Sequence, residues 1–434
     1  MKIGVRAEDK NEWEARTPMV PDDVRKLESQ GISIIIQSSR QRAYTDDEYT
    51  DTGIGVRKDI NDCRLIFGLK EIPIKKLQPE KIYFVFAHVA KGQAYNMPML
   101  KRMMELGVTL VDYERIVDKQ GRRLIFFGRH AGIAGMINSL WALGQRFAIE
   151  NCPNPLENLR QARTYENLAQ ARQAMRAVSE AIKKTGIPPA MHPLIVGFAG
   201  YGNVSRGAQE ILNLLPFKEI RPQQLAKISR DPGLARNVVY KVVFKEEHSV
   251  QRREKNRPFN LQEYFEFGSE KYKNAFGRYL DHLTLLINGN YWDARFPRIL
   301  TLETCRNLWA GDSKPKLKVI GDISCDINGS IQCTVKPSYP DNPVYVYHPN
   351  TGEVSDGFSG HGPVIMAVEI LPAEIPRESS TYFSGVLKRY IPDIIAADWD
   401  SDFSKIQLPP EIKRAVILYR GQLTPDYRYI HTYL

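Results

Sequence analysis

One stretch, Leu194-Ile195-Val196-Gly197-Phe198-Ala199-Gly200-Tyr201-Gly202-Asn203-Val204-Ser205-Arg206-Gly207-Ala208, limits the fold of this chain more than any other. An apolar, β-branched run enters a Gly-x-Gly turn. Beyond the turn Val204, Ala208, Ile211, Leu212 and Leu215 recur at helical spacing, which predicts strand, tight turn and helix. In that setting Gly200 permits the turn and Gly202 lets the backbone approach a pyrophosphate. The free N–H groups of Asn203, Val204 and Ser205 at the helix start then face the phosphates. Ser205 stands where the usual fingerprint has Gly or Ala, and a serine is still small enough for close helix–strand packing. The stretch therefore predicts a dinucleotide site, an ordinary strand-to-helix turn being the plainer alternative.

A chain of 434 residues is too long for one ordinary core and predicts about two to three domains. No apolar run approaches a membrane span, and Lys2-Ile3-Gly4-Val5-Arg6 reads as a strand rather than a targeting segment, so an intracellular, cytoplasmic protein with no membrane partner is expected. Cys63, Cys152, Cys305, Cys325 and Cys333 are odd in number and lack metal-type spacing, which predicts free thiols and no metal. The net charge of +10 is spread out, and its densest run, Gln251 to Arg257, contains an acid and no interleaved aromatics. A solvated loop is expected there, and anionic small molecules rather than nucleic acid are the expected partners.

Strands are expected at 2–6, 33–37, 63–68, 83–87 and 108–112, with helices around 21–30 and 97–106 between them, the alternation of a parallel sheet. A long helix from Ala131 towards Ile149 and an amphipathic one over 169–184 precede the glycine turn. Further strands are expected at 217–221, 238–244, 282–288 and 317–323, and residues 245–281, aromatic and charged without clear periodicity, read as an elaboration. A helix near 379–390 and the closing tail are expected to return to the first domain. The prediction is an α/β protein of two Rossmann-like domains, joined by hinge helices with a cleft between them. Residues 1–136 with 369–434 would form the substrate domain and 137–368 the dinucleotide domain.

Polar residues cluster where strands of the first domain end: Glu12-Trp13-Glu14-Ala15-Arg16-Thr17-Pro18, Gly68-Leu69-Lys70-Glu71, and Ala87-His88-Val89-Ala90-Lys91-Gly92-Gln93. Ligands of open α/β sheets gather at such ends. A lysine and a histidine there could exchange protons at neutral pH, the plainer readings being a solvated cation and a structural imidazole. Arg122 and Arg123 precede an apolar strand, and arginine is the natural bidentate partner of a carboxylate.

Together, Arg6 with Glu14-Ala15-Arg16-Thr17-Pro18, Gly68-Leu69-Lys70-Glu71, Phe86-Ala87-His88 with Lys91 and Gln93, Asp112-Tyr113-Glu114, Gly121-Arg122-Arg123 and Gly132-Ile133-Ala134-Gly135-Met136 resemble the lysine–ketoglutarate reductase portion of aminoadipic semialdehyde synthase. So do Gly200 to Gln209, Ile287-Asn288-Gly289-Asn290-Tyr291-Trp292, Asp322-Ile323-Ser324 with Asp326, and the closing Pro425 to Ile430. The resemblance extends to the lysine-forming saccharopine dehydrogenases and, more distantly, to alanine dehydrogenases. It implies condensation of lysine with 2-oxoglutarate and reduction of the imine to saccharopine, or the reverse. The implied acid–base groups are Lys70 and His88. Arg16 and Arg123 would bind carboxylates, with Glu71, Lys91, Gln93, Glu114 and Phe127 around them, and Glu369 replaces the family's aspartate before Leu-Pro. Asn288 joins Gly200, Gly202, Asn203, Val204 and Ser205 as a cofactor residue. The alternatives are an alanine-dehydrogenase-like enzyme and a nucleotide-binding regulator without catalysis.

The nicotinamide cofactor is read from the strand expected after the glycine helix. An acid about 20 positions after the first glycine suits the ribose hydroxyl of NADH, and an arginine suits the 2′-phosphate of NADPH. Glu219 and Arg221 both fall there, and Pro222 would leave Arg221 at the strand tip. NADPH is therefore expected, with NADH as the alternative.

Overall fold

Strict alternation of inward side chains builds the first sheet. The computed structural model describes residues 1–254, 256–311 and 315–434, so that Lys255 of the basic run lies outside the described residues. Strands β1 (Ile3–Val5), β2 (Ile34–Gln37), β3 (Gly55–Arg57), β4 (Leu65–Phe67), β5 (Ile82–Val85) and β6 (Thr109–Asp112) are parallel. Two strands from the chain's end, β17 (Val416–Tyr419) and β18 (Gln422–Leu423), add antiparallel at one edge, giving the order β18-β17-β6-β5-β4-β1-β2-β3. Ile34, Ile36, Leu65, Phe67, Ile82 and Phe84 enter one apolar core, while Ile35, Ile66, Tyr83 and Val85 enter another. A parallel sheet must cover both faces, and the apolar central strands do so by sending alternate side chains to the two cores. Each such side chain contributes about 1.5–3 kcal/mol on burial.

This unit comprises Met1–Phe127 and Pro376–Leu434. Helix α1 (Pro21–Glu28) starts on a proline and carries Asp22 and Asp23 in its first turn, where the helix dipole favours acids. Helix α2 (Met97–Glu105) buries Met97, Met99, Leu100 and Met103 against the second core. Helix α7 (Pro376–Leu387), numbered after those of the second unit, packs Phe383 and Leu387 into the first core.

The second unit is Gly128–Ile375. Its strands are β7 (Ile195–Ala199), β8 (Phe217–Glu219), β9 (Val239–Phe244), β12 (Leu285–Asn288), β13 (Val319–Asp322), β14 (Val344–Tyr347), β15 (Val354–Asp356) and β16 (Val364–Met366), in the order β15-β14-β16-β13-β12-β7-β9-β8. Six are parallel and β14 and β15 cap one edge antiparallel. Both sheets are therefore Rossmann-like, with connections running outward in two directions from β1 and from β7.

Helix α3 (Gly128–Ile149) is buried on nearly every side, and α4 (Leu168–Thr185) is capped by the Asn167 side chain accepting from the Gln170 N–H. Helix α5 (Asn203–Leu212) follows the glycine turn, and α3 packs on it so closely that a β-carbon at Gly132 would meet the Val204 carbonyl. The units divide at 127/128 and 375/376, not at the expected 136/137 and 368/369, and both crossings coincide with a helix start, α3 and α7. The whole of α3 goes with the second unit because it lies along α5, β12, β13 and β16.

Residues 245–281 hold a separate antiparallel pair, β10 (Val250–Arg252) and β11 (Tyr272–Asn274), and helix α6 (Leu261–Phe267). The start of the basic run is thus a strand rather than a solvated loop, and Arg252 is paired with Glu263 at 2.6 Å. All five cysteines are free thiols. Among the described residues no helix is long and apolar enough to cross a membrane.

Candidate functional site

The carboxyl ends of β1, β4, β5 and β6 stand side by side in the first sheet, and β1 and β4 flank the point where the connections reverse direction. In open α/β sheets that point is where ligands bind. Glu8, just past β1, accepts from the backbone N–H groups of Leu69 at 2.7 Å and Lys70 at 3.0 Å. It thereby ties the loop after β4 to the end of β1. Burial pushes the Glu8 carboxyl above its ordinary value, against the pull of Arg6.

Lys70 is lodged among charges. Burial, then Arg16, lowers its ammonium below the ordinary lysine range, while Glu14 and Glu71 partly offset them. Its Nζ makes no hydrogen bond or ion pair among the described residues. His88 follows β5 in a left-handed conformation (φ 48°), and its Nδ1 lies 2.8 Å from Glu71 Oε1. The buried Asn96 amide bridges the same carboxylate to the Ala87 and His88 carbonyls, at 3.4, 3.0 and 3.3 Å. Burial would raise the Glu71 carboxyl, but the His88 contact and Lys10 bring it down to about 2.

Arg16 sits on a loop pinned by α7: Ser380 accepts from the Thr17 N–H at 2.9 Å, and Ser384 from the Val20 N–H at 3.1 Å. Its Nε and Nη2 bind Glu14 in bidentate fashion at 2.7 and 2.6 Å, which leaves Nη1 outside that pair. The guanidinium lies 4.4 Å from the centre of the Phe127 ring, which in turn stacks on Phe383. Burial pushes Glu14 up, and Arg16 then carries it below the ordinary carboxylate value. Arg123 pairs with Glu114. Beside them the fully buried Asp112 is pushed up to about 6 by burial, with its Oδ2 unpartnered. The Lys91 N–H donates to Gln93 Oε1 on the loop after His88, with the Lys91 side chain exposed.

The structure thus brings Lys70, Glu71, His88, Arg16, Glu114, Arg123 and Phe127 onto neighbouring strand ends. Glu369 is carried by a different unit from the one expected. That residue belongs to the second unit, exposed, with its N–H on the Ser338 carbonyl, because the chain crosses over only after Ile375. Glu8, Glu14, Asn96 and Asp112 are missing from the expected site set. Glu8 and Asp112 were open to the same strand-end argument that found Lys70, whereas nothing in the pattern marks Asn96.

In the second unit Gly200 has φ 97°, which only glycine adopts without strain, and its N–H reaches the Phe244 carbonyl at 3.1 Å. A β-carbon at Gly202 would point into open space, the room a pyrophosphate needs above the start of α5. Asn203 is exposed, Val204 half-buried beside Gly289, and Ser205 buried under a bond from Gln209. Asn288 is fully buried, its amide donating to Asp322 at 2.9 Å and Ser324 at 3.0 Å, so it braces the strand ends from below.

The expected ribose contact needs correction. β9, not β8, lies beside β7, and β8 forms the far edge of the sheet. Glu219 there pairs with Lys241 at 2.9 Å, and Arg221 caps a turn on the surface. The strand next in sequence is not the strand next in the sheet. Lys245 and Glu246, following β9, occupy the position that the argument assigned to Glu219 and Arg221, and Glu246 accepts from the Tyr201 hydroxyl at 3.3 Å.

Residues 4–134 match the family model of the alanine dehydrogenase/PNT N-terminal domain. The chain is 35% identical over 446 residues to the alpha-aminoadipic semialdehyde synthase of Arabidopsis thaliana, covering 99% of this chain and 41% of that protein. It therefore spans less than half of that relative's length. It is 24% identical to the saccharopine dehydrogenase (NAD+, L-lysine-forming) of Emericella nidulans, over 89% of this chain and 90% of the relative. Among solved structures, an L-alanine dehydrogenase superposes with a TM-score of 0.62 at 17% identity, covering 100% of this chain and 99% of the other, a likeness of fold.

Proposed function

We propose that this chain, related along essentially its whole length to the aminoadipic semialdehyde synthases and to the lysine-forming saccharopine dehydrogenases, joins lysine to 2-oxoglutarate and reduces the resulting imine to saccharopine, or runs that reaction in reverse. The observation that carries the reading is the half-buried Lys70, its Nζ without a partner among the described residues, beside the His88–Glu71 pair and the Arg16 guanidinium. That grouping holds proton carriers and an anion binder together, as a condensation of an amine with a keto acid requires.

Free lysine carries a proton at neutral pH, its amine having a reference pKa of about 10.4, so attack on a keto carbon needs a base. His88 suits that step. Glu71, held near 2, stays ionised and keeps Nδ1 engaged, which leaves Nε2 to take the proton. Loss of water from the carbinolamine needs an acid. Lys70 suits it, because burial loosens its proton relative to an exposed lysine. Arg16, through Nη1, and Arg123 would hold substrate carboxylates in register, which makes the encounter effectively unimolecular. A nicotinamide cofactor held at Gly200, Gly202 and α5 supplies the hydride when bound.

For the cofactor we favour NADPH. Lys245 at the end of β9 stands where a 2′-phosphate would be met, and Glu246 next to it is already engaged by Tyr201. Comparing kcat/KM for both cofactors in the wild type and in Lys245→Ala tests this: the NADPH preference should shrink, and a wild-type preference for NADH rejects it. The function itself is tested by cofactor oxidation with lysine plus 2-oxoglutarate and with pyruvate plus ammonia. Turnover with the first pair is expected. Turnover with the second alone would make the chain an alanine-dehydrogenase-like enzyme. A cytoplasmic location is part of the proposal, and cell fractionation tests it.

A further inference from the structure

The second unit contains a cavity of about 410 Å³ beside the glycine turn, within the range of small-molecule sites, roughly 300–1,000 Å³. One side is the dinucleotide framework: Gly200, Lys245 and Glu246. The other side comes from outside the Rossmann-like sheet. Tyr264 and Phe265 lie on α6 of the insertion, and Phe296 on the loop after β12.

The insertion is built as a firm support. Val250, Tyr264 and Tyr272 form a small core of their own with Phe259 and Phe296 packed on it. Glu263 anchors it, accepting from Arg252 at 2.6 Å, Lys271 at 3.0 Å and the Tyr272 hydroxyl at 2.9 Å. Phe265 stands edge-on to Phe296 with ring centroids 6.2 Å apart, yet is 52% exposed. An exposed aromatic ring at the mouth of a cavity, braced from behind, leaves a face open to a flat partner.

The geometry points to the purine of the cofactor as that partner: we propose that the insertion holds the adenine, with Phe265 as its stacking face. This rests on the dinucleotide reading of the glycine turn. The cavity adjoins the end of β9, the strand beside β7 on the side away from β12, where the adenosine half of a dinucleotide lies in such sheets. Its occupant is therefore joined to phosphates at the glycine turn and is flat and aromatic. A purine is both. A base stacked on an aromatic side chain is held well without sequence-specific hydrogen bonds.

The test is equilibrium binding of NADPH, of 2′,5′-ADP and of reduced nicotinamide mononucleotide, which lacks the adenosine, to the wild type, Phe265→Ala and Phe265→Tyr. Phe265→Ala should weaken NADPH and 2′,5′-ADP roughly 10-fold and leave the mononucleotide unchanged, with Phe265→Tyr restoring the loss. Phe265 is exposed, so the variants should fold. Unchanged NADPH affinity in Phe265→Ala, or equal weakening of the mononucleotide, overturns the adenine wall and leaves the reductase reading intact. A wild type that binds none of NADPH, NADH and 2′,5′-ADP overturns the dinucleotide reading itself.

Discussion

The two units share a plan and differ in what their strand ends carry. Each has six parallel strands with two antiparallel strands at one edge, and each reverses its connections beside the first strand. At that reversal the first unit places ionisable side chains: Glu8, Lys70, Glu71 and His88. The second places glycines, an amide and a hydroxyl: Gly200, Gly202, Asn288 and Ser324. On the function proposed above, the same backbone would serve proton transfer in one unit and the close approach of phosphates in the other. Function resides in these few positions, and the fold supplies only their placement.

The sharpest way to break that division is to remove the proton carriers. Lys70→Met or His88→Gln should lower kcat by roughly 10²–10⁴-fold while NADPH affinity stays as in the wild type. Steady-state kinetics beside direct cofactor binding check this, and near-normal turnover in both variants would take them out of the mechanism. The converse substitution is Gly200→Ala. Its φ of 97° strains any side chain, and a β-carbon there meets the Asn290 amide oxygen. Relaxing about 1–3 kcal/mol of strain by leaving the phosphate-binding conformation should weaken dinucleotide binding roughly 5- to 150-fold, and unaltered affinity would contradict the role of the turn.

Buried acids sharpen the contrast at a smaller scale. Glu71, near 2 against an ordinary 4.5, contributes stability that is full above pH 4.5 and lost as pH falls towards 2. Glu374 in the second unit behaves oppositely. Burial lifts it to about 7, with Oε2 accepting from the Asn138 amide and Oε1 unpartnered. Its ionisation therefore costs stability progressively from pH 4.5 to 7 and fully above 7. Glu374→Gln should be more stable than the wild type at pH 8, by up to about 3 kcal/mol, and equal to it near pH 4.5. Urea unfolding at the two pH values decides, and a pH-independent difference would contradict it. The smallest effect is expected from Arg221→Ala. On the far side of β9 from the glycine strand, its loss should leave NADPH affinity unchanged, and a weakened Kd would return it to the cofactor site.

Much of this was legible in the sequence. β1, β4, β5 and β7 announce themselves because strands buried on both faces are largely apolar, and the motifs at their ends follow directly. The same rule puts Lys70, Glu71 and His88 at strand ends, which is where they stand in the structure. The order of strands was not legible, since Phe217–Glu219 pairs with β9 through backbone bonds that leave no trace in side-chain pattern. That is why Glu219 and Arg221 were placed at the ribose. β10 and β11 are too short to show periodicity, and Tyr272 is buried by a local aromatic cluster instead. The Arg16–Glu14 pairing depends on rotamers within one loop, and the position of Glu369 depends on where the chain leaves the second unit; spacing encodes neither.

We propose that strand-end groups of the first unit join an amine to a keto acid and that a cofactor held by the second supplies the hydride. The most direct measurement uses NADPH deuterated at the transferred position, with lysine and 2-oxoglutarate, and mass analysis of the product. The account predicts saccharopine carrying one deuterium on the former keto carbon, formed only when both substrates are present. No labelled saccharopine from lysine and 2-oxoglutarate, with deuterated alanine formed instead when pyruvate and ammonia are supplied, would contradict it.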